Sequence, residues 1–254
     1  MGNNRYFPCA DLMVSVLYEQ GEVMSGKVSV FGDSILKGVQ PDPLRRRYCV
    51  NDSMGLSAIA SRYGISVQNF SKLGCTITKA WFYVQKMFTK IDADMVLMNF
   101  GGNDCDFNWA QIAESPLNLH APNTEIGEFS DTYGRIVDHV KARRRLPVLS
   151  TLVPVQKDKY IDYICHRDTL DRKNVDLWME NNAIDLDSLQ GVYSEAVCSV
   201  ARSREIPLLD LRSAFLSQGK VEALLCEDGI HPNARGQKLI SDCFEKFMGD
   251  YLPF

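Results

Sequence analysis

Asp94-Met95-Val96-Leu97-Met98-Asn99-Phe100 carries apolar side chains on both faces of an extended chain and stops at Gly101-Gly102. A strand apolar on both sides belongs in a parallel sheet, where crossover helices cover both faces. Similar short runs stand on either side of it: Val28-Ser29-Val30-Phe31 before Gly32, Ile65 to Phe70 after Gly64, Pro147-Val148-Leu149-Ser150-Thr151-Leu152, and Ile206-Pro207-Leu208-Leu209-Asp210. Between them lie stripes at helical spacing. Ile77, Ala80, Trp81, Val84 and Phe88 share one face, as do Tyr133, Ile136, Val137 and Val140, and then Leu189, Val192, Tyr193, Ala196, Val197 and Val200. A last helix carries Leu239, Ile240, Cys243, Phe244, Phe247, Met248 and Tyr251. Strand alternating with helix predicts a doubly wound α/β fold with a mostly parallel sheet. Met13 to Tyr18 is a candidate for an added N-terminal edge strand.

A chain of 254 residues with 45% hydrophobic content has material for one large core, so a single domain over residues 1–254 is expected. Two segments break the alternation, residues 106–129 and 155–187, both mixed in polarity and carrying Phe107, Trp109, Tyr160, Tyr163 and Trp178. Long excursions at the edge of a sheet form pocket walls or lids. The net charge of −4 argues against nucleic acid as a partner. Arg45-Arg46-Arg47, after Pro41-Asp42-Pro43, reads as a solvated loop, and Arg143-Arg144-Arg145 as cations at a helix C-terminus. No stretch approaches the ~20 apolar residues that span a bilayer. Met1 to Tyr6 lacks the apolar core of a signal peptide. The eight cysteines form no Cys-x-x-Cys pair, which suits reduced thiols better than disulfides or a zinc site. A cytoplasmic protein without a membrane partner is expected.

Three patches bear chemistry. Gly32-Asp33-Ser34 follows the first strand, Gly101-Gly102-Asn103-Asp104 the third, and Asp228-Gly229-Ile230-His231-Pro232 lies near the end. In a doubly wound sheet, loops after the strands meet at one edge, where ligands bind. Ser34, exposed at the start of a helix, is the candidate nucleophile, and its own N–H is free to face an oxyanion. His231 is the candidate base, with Asp228 holding its other ring nitrogen and so its tautomer. Asn103 and the backbone at Gly74 are the candidate oxyanion donors, together with the Ser34 N–H. Taken alone, each patch has a plainer explanation: a helix N-cap, a surface turn, a glycine–asparagine turn. Trp109 and Trp178, in the excursions, are candidate platforms for a sugar ring, against the alternative that they pin their loops.

Val28 to Gly38, Gly74, Gly101-Gly102-Asn103-Asp104 and Asp228-Gly229-Ile230-His231-Pro232-Asn233 together resemble, in order, the four blocks of the SGNH (GDSL-type) hydrolase family. The resemblance implies a flavodoxin-like three-layer α/β/α sandwich on a mostly parallel five-stranded sheet. It implies a Ser34–His231–Asp228 triad and an oxyanion hole from Ser34, Gly74 and Asn103. It also implies a serine esterase acting on a small-molecule or glycan acyl ester, and narrows the reaction type more than the substrate. The aromatics of the excursions and the lack of an export signal favour short acyl groups such as acetyl, with a carbohydrate O-acetylesterase as one form. Such an enzyme needs no metal or organic cofactor. An acyltransferase using the same triad, or a non-catalytic ligand-binding domain on the same sheet, are the alternatives.

Overall fold

The computed structural model of the chain describes residues 26–42, 47–51, 56 and 65–251. The candidate edge strand at Met13 to Tyr18 lies outside them, as do Arg45 and Arg46.

The main sheet is built from β1 (Lys27–Gly32), β4 (Ser66–Asn69), β5 (Met95–Asn99), β6 (Leu146–Ser150) and β7 (Leu208–Leu209). Its spatial order is β4-β1-β5-β6-β7, with every pairing parallel. Counting only these strands, the order is 2-1-3-4-5, the flavodoxin-like winding. The winding reverses between β1 and β5. Chains leaving their carboxyl ends diverge there and open a crevice.

Successive residues of β5 point to opposite faces, and each face meets its own core. Val96 and Met98 join Phe31 and Leu149 against α2 (Ile77–Met87), α4 (Ile126–Lys141) and α7 (Leu186–Ser203). Met95 and Leu97 join Val28, Val30 and Val148 against α8 (Leu211–Leu216) and α9 (Ala234–Tyr251). The β5 residues Met95 to Met98 are completely buried. Burying such side chains stabilises the fold by about 1.5–3 kcal/mol each, so the unbroken apolar run is what centres β5 in the sheet.

The two excursions fold as a helical layer beyond the sheet. Residues 106–129 contain α3 (Trp109–Glu114) and the start of α4, and residues 155–187 contain α5 (Lys157–Asp168) and α6 (Arg172–Asn181) before α7 begins. A third apolar cluster, including Phe107, Trp109, Ile112, Ile161, Val175 and Trp178, holds this layer together.

One feature was not expected from the sequence. On either side of the Arg45–Arg47 segment read as a solvated loop, of which only Arg47 is among the described residues, stands a two-stranded antiparallel ribbon, β2 (Val39–Asp42) with β3 (Arg47–Val50), pairing Gln40 with Cys49 and Pro41 with Tyr48. Pro41 and the polar residues around it hide the strand pattern, because a ribbon outside the main sheet has no buried face to enforce alternation. The short helix α1 (Ser34–Lys37) separates β1 from this ribbon.

Candidate active site

β1 ends at Gly32 because the chain there runs against β5: a Cβ on Gly32 would sit 3.0 Å from the Asn99 carbonyl oxygen. Asp33 then caps α1 by accepting a hydrogen bond from Ile35 N at 2.9 Å. Ser34 is the first helical residue, so its N–H has no acceptor within its own helix. The cap occupies the Ile35 N–H and not that of Ser34. The helix lasts one turn and stops at Gly38, which adopts a left-handed conformation. Ser34 is buried apart from a small opening onto a pocket that it lines.

The loop before α9 brings the imidazole. Gly229 turns with φ +72°, and a Cβ there would meet the Gln156 carbonyl oxygen at 2.6 Å. Asp228 is fully buried. Its Oδ1 accepts the N–H groups of Ile230 (3.2 Å) and His231 (3.0 Å), and its Oδ2 lies 2.6 Å from His231 Nδ1. An acceptor at that position sets the tautomer: Nδ1 carries the hydrogen and Nε2 the lone pair. Nε2 is buried and has no hydrogen-bond partner in the structure. A buried polar atom without a partner is costly, and here it is the lone pair a general base requires.

Two bonds from neighbouring elements hold this region beside the Ser34 segment, one from α9 to α1 and one from β2 to the loop. Gln237 Nε2 lies 3.5 Å from the Ile35 carbonyl oxygen, and Gln40 Nε2 donates to that of Pro232 at 3.1 Å. Ile230 lines the same pocket as Ser34 and Asn103. The carboxyl of Asp33 is pushed up to about 6 by burial, against the lowering effects of the Ile35 N–H, of His231 when it is protonated, and of Asn103.

Asn103 sits in the turn after β5, closed by Asp104 N and Cys105 N donating to the Gly101 carbonyl. Its Nδ2 donates to Asp33 Oδ2 at 3.1 Å and, more weakly, to the Cys75 carbonyl at 3.4 Å. Asp104 Oδ1 accepts Ile77 N at 2.8 Å, so it caps α2 where Thr76 makes no side-chain cap bond. The Asn103 turn and the Gly74-Cys75-Thr76 loop are thus locked to each other. Neither Gly74, with φ +66°, nor Cys75 lines the pocket; the loop touches the site through the Cys75 carbonyl, which accepts from Asn103.

The pocket holds about 680 Å³ of empty space, its open mouth included. Leu152, Val153, Val155 and Leu186 give it apolar walls, with Tyr160 and Gln190 among its polar ones. Asp106, also in the lining, is fully engaged: Tyr160 Oη donates to its Oδ2 at 2.5 Å and Trp109 Nε1 to its Oδ1 at 2.8 Å. Among the described residues no group of three or more metal-ligating side chains is gathered, and no helix is long and apolar enough to cross a membrane.

The expectation for Trp109 and Trp178 needs correction. Both are buried, packed edge to face with ring centroids 6.2 Å apart, and neither lines the pocket. They pin the helical layer, and Trp109, through Asp106, braces the pocket wall from behind. Two partners went unread in the sequence. One is the Asp33 carboxylate on Asn103, and the other is Tyr48 of β3, whose ring lies 4.9 Å from that of His231. The sequence offered a signal only for the first, in its position beside Ser34.

Comparison with known proteins agrees with this geometry. The sequence model of the GDSL-like Lipase/Acylhydrolase family matches residues 30–239. A rice (Oryza sativa subsp. japonica) protein named GDSL esterase/lipase WDL1 is 24% identical over 174 residues, which cover 66% of this chain and 59% of that relative. Among solved structures, LAE5, an alpha/beta hydrolase enzyme from the metagenome of Lake Arreo, Spain, superposes with a TM-score of 0.62 at 20% identity, covering 89% of this chain and 96% of its own. The lipase/acylhydrolase from Enterococcus faecalis gives 0.61 at 16% identity with the same coverage of 89% and 96%. A catalytic mutant of Axe2, an acetylxylan esterase from Geobacillus stearothermophilus, gives 0.58 at 14% identity, covering 89% and 95%. At these identities the structural likeness is one of fold.

Proposed function

Because the chain belongs to the GDSL-like lipase/acylhydrolase family, we propose that it is a serine esterase that hydrolyses acyl esters, short acyl groups such as acetyl foremost. Ser34 is the nucleophile, His231 the base, and Asp228 the group that orients the base. One observation carries this assignment. His231 has Nδ1 held by a buried carboxylate at 2.6 Å and Nε2 buried with no partner, in the loop that leads into α9, whose Gln237 reaches the Ile35 carbonyl of the helix that Ser34 begins.

In the reaction, Ser34 Oγ attacks the ester carbonyl carbon while His231 Nε2 takes its proton. The developing oxyanion is met by the backbone N–H groups of Ser34 and Gly74 and by the Asn103 amide. Asn103 already uses both amide hydrogens, so it gives up the weaker contact, to Cys75, and keeps the one to Asp33 that orients it. His231 then protonates the leaving alcohol. Water repeats the sequence on the acyl-enzyme, frees the acid and restores Ser34. The imidazolium formed midway faces the Asp228 carboxylate, which stabilises it.

The apolar walls supplied by Leu152, Val153 and Val155 beside Ser34 suit the alkyl part of an acyl group. The acetylxylan esterase among the neighbours suggests acetylated sugars as a first alcohol class. A panel of nitrophenyl esters of graded acyl length, with acetylated xylo-oligosaccharides, is the test, run beside Ser34→Ala. Wild type should release free acid without an added acceptor, and Ser34→Ala should show no turnover. Wild-type rates in purified Ser34→Ala would refute the assignment.

A further inference from the structure

A hydrogen bond from Nδ1 fixes one atom of an imidazole but leaves the plane of the ring to swing, because the torsion that sets that plane has a broad energy well. A base that must meet a serine hydroxyl with its Nε2 lone pair needs a second restraint. The structure offers one from outside the sequence blocks that carry the chemistry. The β2–β3 ribbon lies across the His231 loop, anchored there from both strands. From β2, Gln40 Nε2 donates to the carbonyl of Pro232, the residue after His231, at 3.1 Å. From β3, the Tyr48 ring packs on the His231 ring with centroids 4.9 Å apart and planes inclined at 58°.

Tyr48 is itself held. Arg167 Nη1 of α5 reaches its hydroxyl at 3.5 Å, and Arg167 is fixed in turn by two bonds to Asp168, at 2.7 and 2.6 Å. Tyr163, one helical turn before Arg167, flanks Tyr48 with ring centroids 6.3 Å apart. An isolated two-stranded ribbon is marginally stable in water. Its contacts to the His231 loop and to α5 help keep it in place, and those of β3 converge on Tyr48.

We propose that Tyr48 is a positioning residue for the reaction: its ring holds the plane of the His231 imidazole, and Arg167 holds Tyr48 in that place. The inference rests on His231 being the base. Tyr48 touches no reacting atom and acts by keeping Nε2 aimed at Ser34 through the transition state. Its loss should therefore appear in kcat and leave KM nearly untouched.

The experiment compares Tyr48→Ala, Tyr48→Leu and Tyr48→Phe with wild type on a nitrophenyl ester, with sites titrated by a nitrophenyl phosphonate and folding checked by circular dichroism. Tyr48→Ala and Tyr48→Leu should each lose at least about ten-fold in kcat per titrated site with KM within about three-fold, as misplacement of a catalytic group implies. Tyr48→Phe keeps the ring and should stay within about three-fold of wild type in both constants. A merely structural role would lower the number of titratable sites and leave kcat per site unchanged. A loss smaller than ten-fold in the Leu and Ala variants, or a Phe variant as impaired as they are, overturns the proposal. Ser34→Ala is run in parallel; if it turns over at the wild-type rate, the triad assignment has failed, and this inference falls with it.

Discussion

Three hydrogen bonds converge on the Asp228 carboxylate, two from backbone N–H groups and one from His231 Nδ1. The backbone pair fixes the carboxylate, and the carboxylate fixes the tautomer. An amide in its place would turn a hydrogen-bond donor or a poorer acceptor toward Nδ1 and favour the wrong tautomer. Asp228→Asn should therefore lower kcat by about 10³–10⁴ with the fold intact, measured as turnover of a nitrophenyl ester alongside circular dichroism. A loss under ten-fold would show that the carboxylate has no part in orienting the base. The side chains of this constellation were legible in the sequence because chemistry restricts them to few residue types. Asp33 was not recognised as the partner of Asn103, since a bond across 70 residues of chain leaves no local pattern.

Helix α2 begins beside the oxyanion loop, and its first N–H is capped from another loop by Asp104. Burial pushes this carboxyl from 3.8 up to about 6. The folded state therefore binds its proton more tightly than the unfolded chain does. The stabilisation is complete below about pH 4 and is lost as pH rises through about 6. Asp104→Asn cannot titrate, so the stability of wild type relative to the variant should fall by roughly 2–3 kcal/mol between pH 4 and pH 7.5. Denaturant unfolding at the two pH values measures it, and a difference independent of pH would refute the buried, proton-holding carboxyl. In the helical layer, Trp178 is 1% exposed and packs on Phe107 and Trp109. Trp178→Ala should cost about 3–5 kcal/mol, read by the same unfolding method. A change below 1 kcal/mol would contradict this packing role. The sequence could not separate these roles, because an aromatic residue in a long excursion suits a pocket wall and a loop core equally well. The β2–β3 ribbon was hidden for a related reason, its Pro41 and polar neighbours mimicking a loop.

The sheet order explains how patches remote in sequence come to line one pocket. Ser34 leaves β1 and Asn103 leaves β5, the two strands between which the winding reverses, and that reversal opens the crevice. Much of this was visible from apolar runs alone: Val28 to Phe31, Asp94 to Phe100 and Pro147 to Leu152 each coincide with a strand of the sheet to within a few residues. Ile206 to Asp210 shortens to Leu208–Leu209, a pairing at the sheet edge where fewer neighbours hold the chain extended. What the runs could not supply was the covering of the site by α5, α6 and the ribbon, because that depends on contacts between elements far apart in sequence. The most direct test of the proposal that Ser34 and His231 act together is labelling by an alkyl phosphonate, followed by peptide mass mapping in wild type and His231→Ala. A single adduct on Ser34, formed rapidly in wild type and at least about a hundred-fold more slowly without the imidazole, is the predicted result. An adduct elsewhere, or equal rates in the two proteins, would contradict it.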